Sequence, residues 1–303
     1  MTDGDSGLMG AEALRLAMGD ARPPGVFEVS WAPLERANAF LEGHIPGAHH
    51  LDTDLLEDGY PTWRLRPVDE LQRAFGAMGI AGEDHVVLYG TQFIAATRAW
   101  WVLLYAGVAR VSILDGGLAG WVASGGPIEA GPGSEPTPAV FRAPPRTGVL
   151  ATTEDVLAAR SPGSAVVADV RSEAEFRGDV SGYEYLEARG RVPWSVHLGD
   201  ADDSAGRYID GGGRMRDPRE IVASWQAAGL GGEPPACERD VIFMCGSGWR
   251  SSAAFFAAWC AGYRNIRNYS DGWCGWSTRY VPDASAGGST PGWRQEPTAN
   301  ERA

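Results

Sequence analysis

The chain has 303 residues, of which 44% are hydrophobic and 21% charged, a composition typical of a globular protein of about two domains. Its formal net charge of −13 argues against nucleic acid or an anionic membrane as a partner. The first residues carry neither the basic nor the apolar region of a secretion signal, and no apolar run is long enough to span a membrane, so we expect a cytoplasmic protein.

The first half of the chain alternates short apolar strands with helical stretches. The apolar runs lie at residues 26–30, 86–90 and 111–115, and a helix between the last two ends at Ala106-Gly107. Alternation of this kind is typical of an α/β domain whose central sheet is mainly parallel and flanked by helices. We therefore predict an N-terminal domain over residues 8–130.

The second half repeats the pattern of the first. The matched pairs are Val26–Ser30 with Val167–Arg171, Gly43–Gly47 with Gly190–Trp194, Val86–Gly90 with Val241–Cys245, and Trp121 with Trp276. A repeat this long indicates a duplicated domain. We predict a second α/β domain over residues 149–282, joined to the first by a proline-rich linker over 131–148 and followed by an irregular, Gly/Ser/Pro-rich tail over 283–303.

The halves differ chemically at the end of one strand. The second half has Cys245 there, followed by Gly246-Ser247-Gly248-Trp249-Arg250, whereas the first half has Gly90. We predict a buried strand ending at Cys245, a sharp glycine turn, and a helix over residues 252–259 capped by Ser251 or Ser252. Inward N–H groups at a helix start would favour a thiolate or a persulfide anion, so the second domain is the predicted catalytic domain and the first an inactive one.

The spacing between Cys245 and Arg250 argues against one class of cysteine enzyme. Phosphate-handling cysteine enzymes place the arginine six positions after the cysteine, and here that position is Ser251. A small core cysteine at a strand end is the structural alternative, which the following Gly-Ser-Gly-Trp-Arg run disfavours. None of the five histidines is placed to suggest the base of a cysteine protease.

The remaining cysteines give no sign of a metal site or of a disulfide framework. Cys237, Cys260 and Cys274 form no CxxC pair and no zinc-type spacing with Cys245. Core packing is the favoured interpretation of Cys260, and Cys274 is either packed inertly or relays sulfur. We expect no metal and no cofactor.

Over residues 24–282 the chain resembles the tandem-domain rhodaneses, the thiosulfate and 3-mercaptopyruvate sulfurtransferase family. The similar segments are Gly43-His44-Ile45-Pro46-Gly47, Arg98-Ala99-Trp100-Trp101, Leu114-Asp115-Gly116-Gly117, Asp169-Val170-Arg171-Ser172, Glu175-Phe176-Arg177-Gly178, the Cys245 loop and Asp271-Gly272-Trp273. The insertion around Gly182–Tyr185 is similar to that of a bacterial subgroup with multi-domain members. The resemblance implies two α/β domains, an inactive first domain, and an active site in the second that faces the first.

The resemblance also implies a sulfur-transfer cycle with Cys245 as nucleophile. Cys245 takes the outer sulfur of a small-molecule donor as a persulfide, and a thiophilic acceptor (cyanide, a thiol or a protein cysteine) removes it. The loop matches the Cys-Gly-Ser/Thr-Gly start of mercaptopyruvate enzymes, yet Trp249-Arg250 replace their Val-Thr. Gly246 stands where thiosulfate enzymes carry a basic residue, so both donors stay open.

Each residue assigned to the site also has a second interpretation. Arg250 binds the donor's anionic end or is a surface charge at a helix start. Ser247 hydrogen-bonds the donor or is solvated, and Trp249 walls the pocket or covers the domain seam.

Gly246 and Gly248 complete the loop that binds the substrate. Arg171 contacts the donor or pairs with Asp169 or Glu175, and His44 reaches the site from the first domain or is a structural hydrogen bonder.

The main functional alternative is a sulfur-relay protein. Such a protein would load a persulfide on Cys245 and deliver it only to a specific biosynthetic partner protein. Weak turnover with cyanide and rapid transfer to that partner would distinguish the relay from a general sulfurtransferase.

Overall fold

The computed structural model describes residues 7–161, 163–198, 205–227, 230, 240–283 and 292–295. The strands are β1 (Leu8–Met9), β2 (Gly25–Ser30), β3 (His49–Asp52), β4 (His85–Tyr89), β5 (Arg110–Leu114), β6 (Val166–Asp169), β7 (Val196–His197), β8 (Val241–Met244), β9 (Ile266–Tyr269), β10 (Tyr280–Asp283) and β11 (Gly292–Gln295). The helices are α1 (Ala11–Ala17), α2 (Asn38–Glu42), α3 (Val68–Ala77), α4 (Phe93–Ala106), α5 (Gly117–Ala123), α6 (Thr153–Ala158), α7 (Glu173–Arg177), α8 (Ala205–Tyr208), α9 (Pro218–Ala227), α10 (Trp249–Cys260) and α11 (Gly272–Arg279).

Each half of the chain is built on a parallel sheet. The first sheet has the order β1-β5-β4-β2-β3 and the second the order β7-β6-β8-β9. All neighbouring strands in both sheets run parallel. The central strand β8 is buried at every position because helices cover both faces of such a sheet. The predicted two-domain α/β architecture is confirmed.

The two halves share one continuous core, which runs through the helices that follow β4 and β8. Twelve consecutive residues of α4, from Ala95 to Ala106, are buried, since α4 lies between its own sheet and α10 of the other half. Trp100 of α4 packs edge-on against Phe256 of α10, with ring centroids 4.9 Å apart. The ends of β4 and β8 therefore meet at the interface between the halves.

The segment between the domains runs along the surface of the first half. It has little regular structure apart from a short 3-10 turn at Thr147–Val149, and most of its side chains are at least partly exposed. The Ala139 N–H donates to Gly76 O and the Gln72 side-chain amide donates to Ala143 O. None of the described helices is long and apolar enough to cross a membrane.

The segment after residue 282 differs from the prediction of an irregular tail. Strands β10 and β11 pair antiparallel, with Asp283 opposite Gly292. Two short extended segments can satisfy each other's backbone groups even where the surrounding composition is rich in Gly and Ser. The other residues of the predicted tail lie outside the described part.

One buried acid in the first half has no counter-charge. Glu28, in the middle of β2, is 3% exposed, and neither of its carboxylate oxygens has a hydrogen-bond partner among the described residues. Burial raises the pKa of Glu28 from 4.5 to about 7. Its sheet neighbours are His50 on β3 and Tyr89 on β4.

We predict that Glu28→Gln stabilises the protein at pH 8 but not at pH 4. Between pH 4.5 and about 7 the unfolded chain loses the Glu28 proton while the folded chain keeps it, so the folded wild type loses stability as the pH rises. The loss reaches up to about 3 kcal/mol above pH 7, and glutamine avoids it. Urea unfolding of both proteins at the two pH values measures the difference, and an equal effect at both pH values would contradict the assignment.

Candidate active site

Cys245 lies at the end of β8, where the chain turns directly into α10. It is 1% exposed, and the Cys245 and Gly246 carbonyls accept hydrogen bonds from the N–H groups of Trp273 (2.7 Å) and Cys274 (2.9 Å). These bonds to α11 fix the orientation of the loop peptides. The thiol therefore sits beside a rigid loop at the start of a twelve-residue helix, where backbone N–H groups favour negative charge.

The helix after the loop begins earlier than the sequence suggests. Trp249 is its first residue and Gly248 caps it with a φ of +86°, so Ser251 and Ser252 lie inside the helix rather than at its cap. A Cβ on Gly248 would lie 2.8 Å from both the Ser270 carbonyl oxygen and Nη1 of Arg98. Glycine in the left-handed region lets the chain turn at once, and serines inside a helix resemble cap residues in sequence.

Ser251 is a site residue that sequence reasoning assigned only to the helix cap. Its hydroxyl lies 3.5 Å from Sγ of Cys245 and 2.6 Å from Oδ1 of Asn268. The Asn268 amide donates in turn to the Ser252 hydroxyl (3.0 Å) and the Gly248 carbonyl (3.3 Å). This buried network joins the thiol to β9 and fixes the start of α10.

Arg250 is neither a surface charge nor a free cation. Its two terminal nitrogens donate to the two carboxylate oxygens of Glu175, each at 2.7 Å, and Nη2 also donates to the Tyr183 hydroxyl at 3.0 Å. Burial acts to raise the pKa of Glu175, but the hydrogen bonds and charge of Arg250 outweigh it and hold that pKa below its ordinary value. Glu175 is itself fixed by a capping box with Ser172 at the start of α7.

Tyr183 covers the Cys245 loop from the inserted segment of the second domain. A Cβ on Gly246 would collide with the Tyr183 hydroxyl and ring, so only glycine fits at this position. Burial raises the pKa of Tyr183 and keeps its hydroxyl neutral. The ring of Tyr185 packs against that of Tyr183 at a tilt of 45°, with the centroids 5.4 Å apart.

The first domain contributes a buried ion pair to this loop. Arg98 of α4 donates to Glu57 Oε1 from Nε (2.9 Å) and Nη2 (2.7 Å), and Nη2 also donates to the Ser270 hydroxyl at 2.9 Å. The other oxygen of Glu57 accepts the indole N–H of Trp249 at 3.0 Å. Burial raises the pKa of Glu57, and Arg98 and Trp249 oppose that rise.

Sequence reasoning did not assign Glu57 or Arg98 to the site. Arg98 stands in a family signature, but Glu57 has no motif of its own. Because their role depends on the packing of one domain against the other, no pattern within either domain reveals it.

A cavity of about 510 Å³ opens between the domains beside the loop. Its lining consists of Trp31, Thr53, Asp54, Glu57, Trp63, Ile94, Tyr183, Tyr185, Ser247 and Trp249. The described lining contains five aromatic side chains, two acids and no basic side chain. Ser247 and Trp249, two and four positions after Cys245, therefore stand at the cavity wall.

Arg171 and His44, two predicted substrate contacts, are each held by partners within their own domain. The Arg171 guanidinium is fully buried, pairs with both Asp169 oxygens, donates to Gly190 O at 2.8 Å and lies over the Trp273 ring. Arg171 thus forms the ion pair with Asp169 that the structural alternative expects, and its remaining nitrogen, Nη1, is buried with no hydrogen-bond partner among the described residues.

His44 is fully buried within the first domain and does not line the cavity. Its ring nitrogens contact Phe40 O (2.9 Å) and Glu129 Oε1 (3.1 Å). Both nitrogens are used in holding its own turn, so the ring has no capacity left for a substrate.

The other cysteines differ in their surroundings. Cys274, on α11, lies next to the loop, and burial raises the pKa of its thiol to about 11. Burial also raises the pKa of Cys260. Cys237 lies outside the described residues, and those described contain no group of three or more His, Cys, Asp or Glu side chains that could hold a metal ion.

Comparison with known proteins gives one family for both halves. The family model described as "Rhodanese-like domain" matches residues 11–124 and again residues 152–279. The chain is 34% identical over 269 residues to "Thiosulfate sulfurtransferase YnjE" of Escherichia coli, which covers 85% of this chain and 59% of YnjE. It is 28% identical to human "3-mercaptopyruvate sulfurtransferase", with 90% of this chain and 91% of that protein covered.

One solved structure of similar fold was determined in complex with its substrate. It is the anaerobic ergothioneine biosynthesis enzyme from Chlorobium limicola in complex with its natural substrate trimethyl histidine, at a TM-score of 0.80 and 28% identity. The match covers 91% of this chain and 69% of that one. The present chain thus spans only part of YnjE and of this enzyme.

We predict that Arg250→Met costs about 3–5 kcal/mol of stability at pH 7, because it leaves the Glu175 carboxylate buried and unpaired. In the wild type, the depressed pKa of Glu175 stabilises the fold above the unfolded pKa, and this contribution is lost as the pH falls through the folded pKa. The difference between variant and wild type should therefore shrink in acid.

Arg177→Met is the matched control for Arg250→Met. Arg177 lies on the same helix as Glu175 and pairs with Glu173 at the exposed surface, so its loss should cost at most about 1 kcal/mol. Urea unfolding between pH 4 and 7 measures both variants. Equal costs for the two would show that the Arg250–Glu175 pair is not buried in the way described.

Proposed function

The chain belongs to the rhodanese-like sulfurtransferase family, and from that premise we propose that it transfers a sulfane sulfur through a persulfide on Cys245. The observation that carries the proposal is the position of Cys245, buried at the end of β8 and at the start of α10. The equivalent position of the first domain is Gly90, which has no nucleophile. The proposed donor is thiosulfate or 3-mercaptopyruvate, and the proposed acceptor is a thiophile such as cyanide or a thiol.

The proposed reaction with thiosulfate has two displacements. The Cys245 thiolate attacks the outer sulfur, a new S–S bond forms, and the old S–S bond breaks with its electron pair leaving on sulfite. The acceptor then attacks the outer sulfur of the persulfide and the electron pair of that bond returns to Cys245. With 3-mercaptopyruvate a C–S bond breaks instead, and the carbon that keeps the electron pair takes up a proton to give pyruvate.

In this proposed reaction each residue of the Cys245 loop has its own role. Backbone N–H groups of residues 246–250 stabilise the sulfur anion, as preorganised donors do in a site shielded from water. Ser247, at the cavity wall, hydrogen-bonds the donor or the acceptor. Trp249 limits the size of what enters, and Arg250 acts as a positioning residue because Glu175 already neutralises its charge.

The lining of the cavity favours a cationic acceptor as a second candidate. Five aromatic side chains and Asp54 surround the space next to Ser247, with no basic side chain among the lining residues. Aromatic faces attract quaternary ammonium groups, and a nearby carboxylate adds to that attraction. The Chlorobium enzyme, whose named substrate is trimethyl histidine, shares this fold. A small organic cation is thus the acceptor class that this cavity would suit.

A sulfur-relay role remains the alternative proposal. In that case Cys245 would load a persulfide as before, but a partner protein rather than a small molecule would accept the sulfur. Both roles require the same persulfide, so the first test addresses the persulfide itself.

We predict that thiosulfate or 3-mercaptopyruvate adds one sulfur atom to wild-type protein and none to Cys245→Ser. Intact-protein mass spectrometry after separate incubations measures this gain, and the donor that loads faster identifies the specificity. Cys274→Ser is the matched control, since it lies beside the loop and should still load. A gain retained by Cys245→Ser, or no gain with either donor, would contradict the proposal.

We predict that the protein binds trimethylhistidine more tightly than histidine, and that Trp31→Leu reduces this preference. Trp31 lines the cavity and packs edge-on against Trp249. Loss of one cation–π contact of about 0.5–2 kcal/mol corresponds to about a 2- to 30-fold weaker affinity for the trimethylated compound only. Isothermal titration of both compounds checks this, and equal affinities in the wild type would exclude the cationic acceptor.

A further inference from the structure

A second cavity lies in the first domain, at the position equivalent to the Cys245 site. It has a volume of about 360 Å³ and surrounds Gly90, which follows β4 as Cys245 follows β8. Glu28, Gly116 and Leu118 form part of its wall. The sulfur-transfer proposal makes no use of this space.

Strand register identifies the counterpart of Glu28 in the second domain. Glu28 pairs with Tyr89, the residue before Gly90, and Asp169 pairs with Met244, the residue before Cys245. The two acids therefore occupy the same place in the two sheets. Ser30 and Arg171, two positions further on, are equivalent by the same register.

The two acids have opposite surroundings. Asp169 is held by the Arg171 guanidinium, which lies over the Trp273 ring with its carbon 4.8 Å from the ring centroid. The first domain has Ser30 in place of Arg171 and Leu118 in place of Trp273. Two large side chains are thus replaced by smaller ones, and Glu28 remains buried among the residues that line a cavity.

The charged and polar neighbours of Glu28 are occupied elsewhere. Asp115 accepts the Met215 N–H at 2.8 Å and lies 3.9 Å from Arg214. His50 contacts the Ser30 hydroxyl at 2.8 Å, and the Tyr89 hydroxyl accepts the Ile45 N–H. Among the described residues Glu28 is left with both carboxylate oxygens unpartnered.

The cavity is also closed by the opposite domain in the way the Cys245 cavity is. A loop of the second domain, with an antiparallel bridge between Ile209 and Met215, lines it. The corresponding loop of the first domain, bridged between Glu57 and Leu65, supplies Glu57 and Trp63 to the Cys245 cavity. The first-domain cavity is therefore enclosed by both domains, and its Gly90 stands where the second domain has Cys245.

We propose that this cavity is a second ligand site that takes a small molecule bearing a guanidinium group, which pairs with Glu28 as Arg171 pairs with Asp169. A planar guanidinium donates two parallel hydrogen bonds to a carboxylate and supplies the missing positive charge. An anion would be repelled by Glu28, and a lone carboxylate is a poor metal site.

The test uses methylguanidine as the probe and methylurea, its neutral counterpart of the same shape, as the control compound. Isothermal titration and ligand-observed NMR should show saturable binding of methylguanidine to the full chain and none of methylurea. Glu28→Gln should weaken this binding by about 10- to 100-fold, the range expected for loss of a hydrogen bond to a charged group.

Ser30→Arg supplies the guanidinium from the chain itself and should abolish binding of the probe by filling the cavity. This variant keeps Glu28 and introduces the residue found at the equivalent position of the second domain, so it tests the pairing independently of Glu28→Gln. Absence of saturable binding to the wild type at millimolar concentrations would overturn the proposal. So would equal binding of methylurea, or unchanged binding in both variants.

The result of the methylguanidine test can be told apart from the result of the persulfide test of the proposed function. Persulfide loading on Cys245 is read by mass spectrometry, and the guanidinium site is read by titration in the absence of any sulfur donor. Cys245→Ser should bind methylguanidine as the wild type does.

Discussion

A buried ion pair of the first domain, Arg98 with Glu57, holds the Cys245 loop of the second domain through contacts that cross the interface. Arg98 is fully buried and Glu57 is 1% exposed, and the pair also contacts Ser270 and the indole of Trp249. A buried pair of this kind adds little net stability over an apolar pair, but breaking it leaves an uncompensated charge. It therefore requires one arrangement of the domains, and that arrangement forms the cavity beside the cysteine.

Duplication of the domain explains why two cavities occupy equivalent places in the two halves. In each half a strand, a short turn and a helix meet the opposite half, and each half supplies a bridged loop that covers the other's cavity. The second half has Cys245, the proposed nucleophile, and neutralises its buried Asp169 with Arg171. The first half has Gly90 and Ser30 in those places, so Glu28 is buried with no hydrogen-bond partner among the described residues, which is the basis of the proposed guanidinium site.

Much of the fold, and the importance of Cys245, could be predicted from the sequence. Strand periodicity is a local signal, and the internal repeat can be found by comparing the two halves of the sequence. The Cys245 loop was identified by its glycines and its apolar strand. The ion-pair partner of Arg250 could not be identified from the sequence, because Glu175 lies far away along the chain and is brought close only by folding. The partners of His44 are hidden for a related reason: its position in a family motif does not show that Phe40 and Glu129 contact both ring nitrogens.

The most direct test of this account measures the rate of persulfide loading from thiosulfate in the double variant Glu57→Gln/Arg98→Met. Removing both charges avoids leaving one of them buried alone, so the protein should still unfold cooperatively in urea. If this first-domain pair holds the loop in its reactive arrangement, loading on Cys245 should slow by about tenfold or more, which corresponds to about 1.4 kcal/mol. A folded double variant that loads sulfur at the wild-type rate would show that the site does not depend on the first domain.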